Sequence, residues 1–371
     1  MGASIVEHFS SLQDPRIERG KAHQLIDIVV LAICAVVCGA EGWKTIEEFG
    51  HTKLDWLRHY VPLANGIPAH DTIARVLSRI SAHGFERCFA SWVSACAPVT
   101  QGEVVAIDGK TARRSHDRRS RKSALHLVSA WATSNGVVLG QRKTEAHSNE
   151  IEAIPKLLEV LDLKGCIVTV DAIGCQEEIA AKLVEQKADY VLTVKANQGS
   201  LHEEVREFFD TALAHSFRGV KHDYHEEVDK GHGRLEVRRY WVSPMLGTLS
   251  HPERWKGLKA IGMVEAERRV GEQVSVERRY YICSFYRGAE EFGRAVRAHW
   301  GIENSLHWVL DVSFREDESR IRRGEAAQNF AILRRMALNL LKRETSLKKG
   351  VKQKRLKAGW DEAYLAKVLF T

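Results

Sequence analysis

The 371-residue sequence lacks the features of secreted, disulfide-bonded and membrane-spanning proteins. Its seven cysteines form no CxxC pair and no disulfide framework, so we expect reduced thiols in a cytoplasmic protein. Cys34 and Cys38 lie four positions apart in an apolar segment, which predicts buried helix residues rather than metal ligands. No signal peptide is expected, because Glu7, His8 and Asp14 precede the first apolar run.

The longest apolar run, residues 25–40, is too short for a transmembrane helix. It holds sixteen residues and includes Asp27, whereas a membrane-spanning helix needs about 20 mostly uncharged residues. We therefore predict a buried core helix and no membrane association. The sequence also contains no internal repeat.

The composition excludes wholesale disorder and favours a polyanionic partner. Hydrophobic residues make up 44% of the chain, which is enough for a sizeable buried core. The 55 Lys and Arg outnumber the 48 Asp and Glu and give a net charge of +7. A basic protein of this kind attracts polyanions such as nucleic acids.

The pattern of apolar residues changes along the chain. Residues 1–98 have apolar residues at helical spacing and predict an all-α N-terminal domain. After a boundary at 98–102, strand-like and helical segments alternate, which predicts a mixed α/β sheet flanked by helices. The predicted strands are 103–108, 125–133, 136–141, 166–171 and 189–195.

The second half of the chain predicts an insertion and a return to helix. Residues 216–288 are rich in alternating, strand-like segments and predict a β-rich insertion. Helical patterns resume at about 289–310 and at 324–343. We therefore expect one α/β domain over 99–343 that contains the insertion, followed by a basic C-terminal tail at 344–371.

Two of the predicted strands end in an aspartate, Asp108 in "EVVAID" and Asp171 in "CIVTVD". A carboxylate at the end of a buried strand is held on rigid backbone at the sheet edge, where ligand sites of open α/β sheets gather. Capping of the following turn is the structural alternative for each residue. Two such carboxylates on neighbouring strands of a basic protein favour a site for a hard divalent cation such as Mg²⁺.

Glu303 is the candidate for a third carboxylate. It lies in "HWGIENSLHWVLDVSFREDESR" (299–320) between Trp300 and Trp308, which we predict to fix its helix against the core. The apolar surroundings of Glu303 disfavour a solvated acidic face. For the acidic run 316–318 two alternatives stay open, a solvated face and a turn with salt bridges.

The same segment leaves a zinc site open as an alternative. Residues four positions apart on an α-helix are offset by only about 40°, so the polar residues here form one stripe. They are His299, Glu303, His307 and Asp311. The first three could bind zinc directly, and Asp311 could orient one of these ligands by a hydrogen bond. No HExxH motif is present, and a zinc site here leaves the two strand-end aspartates unexplained.

Five segments, taken in order, resemble the successive sequence blocks of the H-repeat-associated transposases, a branch of the DDE transposases of bacterial insertion sequences. They are "AIDGKTARRS", "VTVDAIGCQEEIA", "LTVKANQGSL", "GHGRLEVRRYWV" and "HWGIENSLHWVLDVSFREDESR". The similarity runs from about residue 8 to residue 343. Each block is short, but their common order makes the resemblance specific.

The resemblance implies an RNase H-like core with Asp108, Asp171 and Glu303 as its catalytic, metal-binding triad. It implies two Mg²⁺ ions, or Mn²⁺ in their place, as cofactors. The implied function is a transposase that cuts DNA at the terminal inverted repeats of an insertion sequence and transfers the strands to target DNA. A β insertion before the helix that carries the glutamate also matches the family.

The sequence departs from the wider insertion-sequence group around Glu303. That group carries a Tyr, Arg, Glu, Lys pattern. Here Val296 stands at the Tyr position, His299 at the Arg position and Leu310 at the Lys position. We therefore do not assign to these three residues the roles that Tyr, Arg and Lys have in the wider group.

Basic residues cluster where DNA would approach the expected site. The thirteen residues 110–122, directly after the first strand, include seven Lys or Arg, which favours phosphate contacts, with a solvated hairpin tip as the alternative. The residues that we predict to contact DNA are Lys110, Arg113, Arg114, Lys195, Asn197, Gln198, His299, Arg322 and Arg323. His307 and Asp311 are predicted to support the metal ligands or the DNA contacts.

The expected partners are double-stranded DNA, as element ends and as target, and a second copy of the chain, because two ends must be brought together. We expect a nucleoid-associated protein in the cytoplasm. Two alternatives stay open, an RNase H-like nuclease that cuts without joining and a non-catalytic DNA-binding descendant. The presence of all three carboxylates disfavours the second of these.

Overall fold

The described part of the chain contains a nine-stranded mixed sheet flanked by helices. The structure is a computed structural model that describes residues 5–18, 21–116, 123–145, 150–231 and 233–370. The strands are β1 (Val104–Ala112), β2 (Leu125–Ala132), β3 (Val137–Lys143), β4 (Ile167–Val170), β5 (Asp189–Val194), β6 (Asp223–Gly231), β7 (Arg234–Ser243), β8 (Ala260–Val270) and β9 (Gln273–Cys283). Among the described residues their order is β3-β2-β1-β4-β5-β9-β8-β7-β6.

The first five strands have the order of an RNase H-like sheet. β1 pairs with β4 in parallel, and β4 pairs with β5 in parallel, whereas β2 and β3 are antiparallel. β4 is buried along its whole length, and β1 is buried up to Ile107. Burial on both faces explains why these strands are continuous apolar runs in the sequence. The predicted RNase H-like mixed sheet is therefore confirmed.

The β-rich region continues this sheet instead of forming a separate one. β6, β7, β8 and β9 form an antiparallel meander, and β9 pairs antiparallel with β5. The ends of these strands that lie nearest the sheet centre are buried, as in Tyr280 to Cys283 of β9. Their other ends are exposed, as in Val274 and Val276.

The chain divides into two compact units. The first comprises Met1–Pro98, Gly109–Ser148 and Glu303–Thr371, and the second comprises Val99–Asp108 and Asn149–Ile302. β2, β3 and the terminal helices belong to the first unit, and β4 to β9 belong to the second. β1 contributes residues to both.

The first unit is built around a buried helix, α2. Its helices are α1 (Ile5–Phe9), α2 (Leu25–Val37), α3 (Trp43–Thr52), α4 (Leu54–Leu57), α5 (His70–Leu77), α6 (Ala82–Cys96), α11 (Trp308–Phe314), α12 (Ala326–Arg343), α13 (Val351–Trp360) and α14 (Glu362–Phe370). α2 contacts α1, α3, α12 and α13. Residues 344–371, expected only as a basic tail, thus contain two helices.

The predicted core helix at residues 25–40 is confirmed as α2. Ile28 to Val37 are buried, and the carboxylate of Asp27 accepts a hydrogen bond from the backbone N–H of Leu63 at 3.1 Å. That bond gives the buried charge of Asp27 a partner inside the protein. No helix among the described residues is long and apolar enough to cross a membrane.

The second unit packs helices on the sheet. They are α7 (Glu150–Leu158), α8 (Glu177–Glu185), α9 (Gly199–Ala214) and α10 (Ala289–Ile302). α10 contacts β4, β5 and β7. The ring of Phe292 on α10 packs edge-on against Tyr240 and Tyr281, with ring centroids 6.4 and 5.4 Å away. This aromatic contact holds α10 against the strands.

Gly262→Ala should destabilise the protein by about 1–3 kcal/mol, because a methyl group at this position of β8 has no space. A Cβ on Gly262 would lie 2.5 Å from the Cζ atom of Phe292, whose buried ring cannot move aside freely. Denaturant unfolding of the two proteins measures the difference. Gly247→Ala is the matched control, since a Cβ there meets no heavy atom within 4 Å. Equal unfolding midpoints for the two variants would contradict the packing described for α10.

Candidate active site

Asp108 and Asp171 leave two adjacent parallel strands at the same level. Ile107 of β1 is the register partner of Val170 of β4, and each aspartate is the next residue in the chain. Both aspartates are half-buried. The prediction that the first strand ends at Asp108 is wrong, since β1 continues to Ala112. The buried apolar run and the pairing with β4 nevertheless stop at Ile107, so the two carboxylates follow the last paired residues of both strands.

Asp171 begins a 3₁₀ turn, Ala172–Gly174, and also caps it. Its Oδ1 atom accepts a hydrogen bond from the backbone N–H of Ile173 at 3.2 Å, so the capping alternative describes part of its role. Burial and the neighbouring Glu150 raise the pKa of Asp171, against the opposing effects of the backbone N–H groups and Lys195. A carboxyl group in these surroundings gains from a nearby cation that stabilises its charged form.

The turn after Asp171 is braced by the segment that follows β5. The side-chain amide of Asn197 donates to the carbonyl oxygen of Ala172 at 2.6 Å, and that of Gln198 donates to the carbonyl oxygen of Cys175 at 2.8 Å. Lys195, which precedes them, is exposed. Two of the three residues predicted to contact DNA here therefore hold the backbone next to Asp171.

The last turn of α10 is hydrogen-bonded to β4. Thr169 Oγ1 and His299 Nδ1 share a hydrogen bond of 2.9 Å. Thr169 stands two residues before Asp171 on the strand, and His299 stands one helical turn before Glu303. His299 was predicted to contact DNA, and its partner Thr169 lies within a buried apolar run that carries no sequence signal of a functional residue.

Glu303 begins a π-helical turn, Glu303–His307, which separates α10 from α11. The single regular helix expected over 289–310 is therefore not formed, because a π-helical turn interrupts it. Glu303 has a 65% exposed side chain, and its carboxylate lies 3.5 Å from Nδ1 of the buried His307. Burial lowers the pKa of His307 to about 4, against the raising effect of Glu303, so its imidazole is neutral at neutral pH.

The prediction that two tryptophans fix this helical segment against the core is wrong. The side chains of Trp300 and Trp308 are 47% and 60% exposed. Buried residues such as Phe292, Val296 and Leu306 make the core contacts instead. The indole of Trp300 is covered on the surface by the guanidinium of Arg279, 4.1 Å from its ring centroid.

In the first unit, Lys110 joins β1 to the segment that follows the π-helical turn. Its Nζ atom lies 2.8 Å from Asp311 Oδ1 and 3.1 Å from Asp317 Oδ1, and its side chain is only 9% exposed. Asp317 also accepts a hydrogen bond from the backbone N–H of Arg113 at 3.2 Å. Burial raises the pKa of Asp311, and Lys110 opposes that effect.

The acidic run 316–318 divides into a buried and an exposed part. The expectation of a solvated face is wrong for Glu316, which is 1% exposed and lies 2.9 Å from Nη1 of the fully buried Arg335. Arg334 lies 3.8 Å from the same carboxylate oxygen. Burial opposes ionisation, but the two guanidinium groups hold the pKa of Glu316 below its ordinary value. The alternative of a turn with salt bridges is thus confirmed.

The remaining basic candidates lie in the first unit. Both Nε and Nη2 of Arg322 donate to the carbonyl oxygen of Arg114, at 3.1 and 2.9 Å. The side chains of Arg113, Arg114 and Arg323 are exposed. Four basic residues of the cluster at 110–122, namely Arg118, Arg119, Arg121 and Lys122, lie outside the described residues.

The RNase H-like sheet gives the fold class of the protein, and comparison with family models gives its family. A family model described as "Transposase DDE domain" matches residues 100–340, and one described as "DDE_Tnp_1-associated" matches residues 6–93. The first match covers more than half of the chain, so the chain belongs to the transposase DDE domain family.

Two relatives match almost end to end. "Putative transposase YncI" of Escherichia coli O157:H7 is 47% identical over 370 residues, with 99% of this chain and 94% of that protein covered. "H repeat-associated putative transposase YhhI" of Escherichia coli K12 is 44% identical over 372 residues, with 98% and 97% covered. The predicted resemblance to this branch is confirmed.

Among solved structures, a piggyBac transposase synaptic complex with hairpin DNA is similar with a TM-score of 0.43 and 10% identity, and the match covers 99% of this chain and 77% of that chain.

Proposed function

We propose that this chain is a metal-dependent DNA transposase that cuts an insertion sequence at its terminal inverted repeats and joins the ends to target DNA. The observation that carries the proposal is the register of β1 and β4, which brings Asp108 and Asp171 to the same level on adjacent strands in a chain of the transposase DDE domain family. Carboxylates held on rigid backbone at the point where the pairing of two strands stops suit metal-assisted phosphoryl transfer.

Glu303 is proposed as the third acidic ligand. Support comes from α10, whose last turn is hydrogen-bonded to β4 through His299 and Thr169. Glu303 follows α10 directly, one turn after His299, and Asp171 follows Thr169 by two residues. The end of α10, which precedes Glu303, is therefore fixed to β4 two residues before Asp171.

The donor set fits a pair of hard divalent cations. All three proposed ligands are carboxylates, which Mg²⁺ and Mn²⁺ prefer. The pKa of Asp171 is raised by burial and Glu150, so its charged form gains from a bound cation. When bound, two such ions supply Lewis-acid stabilisation of the attacking and leaving oxygens of an in-line phosphoryl transfer. The strands and the braced turn after Asp171 contribute rigid placement of the ligands.

Double-stranded DNA is the proposed substrate, as element ends and as target. Exposed Arg113, Arg114, Lys195 and Arg323 are proposed to contact phosphates, together with the half-buried Arg322. We propose that two copies act together on two element ends, in the cytoplasm at the nucleoid. In this proposal residues 99–343 form the catalytic domain with 216–288 as its insertion, and 1–98 and 344–371 flank it.

A strand-transfer assay with labelled element ends, unlabelled target DNA and Mg²⁺ tests the proposal. We expect joined products that disappear when EDTA removes the metal and return when Mg²⁺ or Mn²⁺ is restored, because the carboxylates alone cannot stabilise the developing charge. Cut but unjoined ends would favour a nuclease without strand transfer. DNA that is bound and stays intact would favour a non-catalytic DNA-binding protein.

A further inference from the structure

We propose that Lys110 is a positioning residue that holds the helical segment following Glu303 against the last residues of β1. This inference rests on the proposed function. Lys110 follows Asp108 by two residues on β1, so both side chains project from the same face of the strand. Asp311 and Asp317, the partners of Lys110, belong to the chain that follows Glu303.

The contacts of Lys110 are those of a structural brace. One ammonium group lies within 3.1 Å of two carboxylates that come from different elements, α11 and the 3₁₀ turn Glu316–Glu318. A second link runs in parallel, since Asp317 accepts from the backbone N–H of Arg113 and lies 3.2 Å from Nε of its side chain. The end of β1 therefore holds both α11 and the turn after it.

Burial separates this role from a contact with DNA. The Lys110 side chain is 9% exposed, whereas that of Arg113 is 83% exposed. A phosphate could reach Lys110 only if the lysine gave up two close carboxylates, and Asp311 would then lose the cation that lies 2.8 Å from it. Removal of one partner from a partly buried ion pair costs stability, because the other charge is left without compensation. Arg113 also pairs with Asp317, but its side chain is exposed, so solvent already screens that pair and the cost of breaking it is small.

The contacts of Lys110 lie next to the least regular part of the segment that carries Glu303. The π-helical turn Glu303–His307 breaks the regular α-helix between α10 and α11. α10 is hydrogen-bonded to β4 through His299, and α11 is held through Asp311. Loss of either contact would allow the π-helical turn between α10 and α11 to shift. A displacement of about 1 Å at a reacting group can reduce a rate by about 10²-fold.

Lys110→Met tests the inference, because methionine keeps the unbranched stem and loses the charge. We expect the single-turnover cleavage rate at saturating DNA and metal to fall by about 10²-fold. We expect Mn²⁺ affinity, measured by electron paramagnetic resonance on the DNA-free protein, to fall about 10-fold, as for other groups that orient metal ligands. Lys110→Arg should restore much of both, since arginine can pair with the same aspartates. Asp311→Asn keeps the shape of the side chain and removes the charge that pairs with Lys110. We expect it to reproduce part of the loss of cleavage rate and of Mn²⁺ affinity. It replaces Lys110→Met in the test if that variant fails to fold.

The salt dependence of DNA binding distinguishes a brace from a phosphate contact. A lost phosphate contact lowers the slope of log K against log[salt] by about 0.9, and for a brace we expect the slope of Lys110→Met to equal that of the wild type. A lowered slope with an unchanged saturated rate would overturn the inference, as would unchanged Mn²⁺ affinity and rate.

Lys182→Met, which removes an ion pair with Glu159 between α8 and α7, is the matched control. An inactive wild-type protein would instead count against the proposed function, and the Mn²⁺ titration would still test the brace.

Discussion

Asp108→Asn, Asp171→Asn and Glu303→Gln should each lower the rate of DNA cleavage by at least about 10²-fold, on the scale of other preorganised electrostatic groups, and leave binding to the element ends intact. Each change keeps the shape of the side chain and removes the negative charge that the proposed cations require. Asparagine at position 171 can still accept the capping hydrogen bond from Ile173, so the turn should persist. Single-turnover cleavage of labelled ends measures the rate, and fluorescence anisotropy measures binding.

Asp162→Asn is the control for these three variants. Asp162 is an exposed aspartate in the loop before β4, at the opposite end of that strand from Asp171. We expect wild-type cleavage from it. Near-normal cleavage by any one of the three site variants would remove that residue from the proposed triad, and loss of DNA binding in all three would point to a structural role for the carboxylates.

The central strands of this fold can be predicted from the sequence because they are buried on both faces. β4 and the buried part of β1 are short, continuous apolar runs, and each run stops at its aspartate. The extension of β1 to Ala112 could not be predicted in the same way. Its residues Gly109, Lys110 and Thr111 are glycine or polar, and no apolar period marks them as a strand.

Contacts between distant parts of the chain account for most of what the sequence did not predict. Lys110 and Asp317 are 207 positions apart, and Thr169 and His299 are 130 apart. Each residue alone is typical of a surface or of a turn, and only the fold brings the partners together. The basic cluster after Asp108 thus predicts a DNA contact at Lys110 but gives no sign of the partly buried ion pairs that Lys110 makes in the structure.

The acidic run 316–318 illustrates the same limit at a single residue. Its three neighbouring carboxylates are equivalent in the sequence. The 3₁₀ turn that they form sends Glu316 inward to Arg335 and leaves Glu318 at the surface with Arg315. A left-handed residue, Arg315, stops α11 and sets the direction of that turn. Residue type alone does not encode that direction.

Glu316→Gln should destabilise the folded protein by about 3–5 kcal/mol, because it leaves buried guanidinium groups without an opposing charge. Glu316 and Arg335 are 1% and 0% exposed, and Arg334, which is 4% exposed, adds a second buried cation beside the same carboxylate. Water cannot replace the lost partner at this depth. Denaturant unfolding at neutral pH measures the difference in the free energy of unfolding.

Glu318→Gln is the matched control, because it removes a surface ion pair one turn away, which solvent already screens. The pH dependence gives an independent check. Because the folded-state pKa of Glu316 lies below its unfolded value of about 4.3, the stability from its charge is present above that value and is lost as the pH falls through the folded-state pKa. The difference between wild type and Glu316→Gln should therefore shrink on acidification. A difference that is small at neutral pH, or that grows as the pH falls, would contradict the buried ion pair as a source of stability.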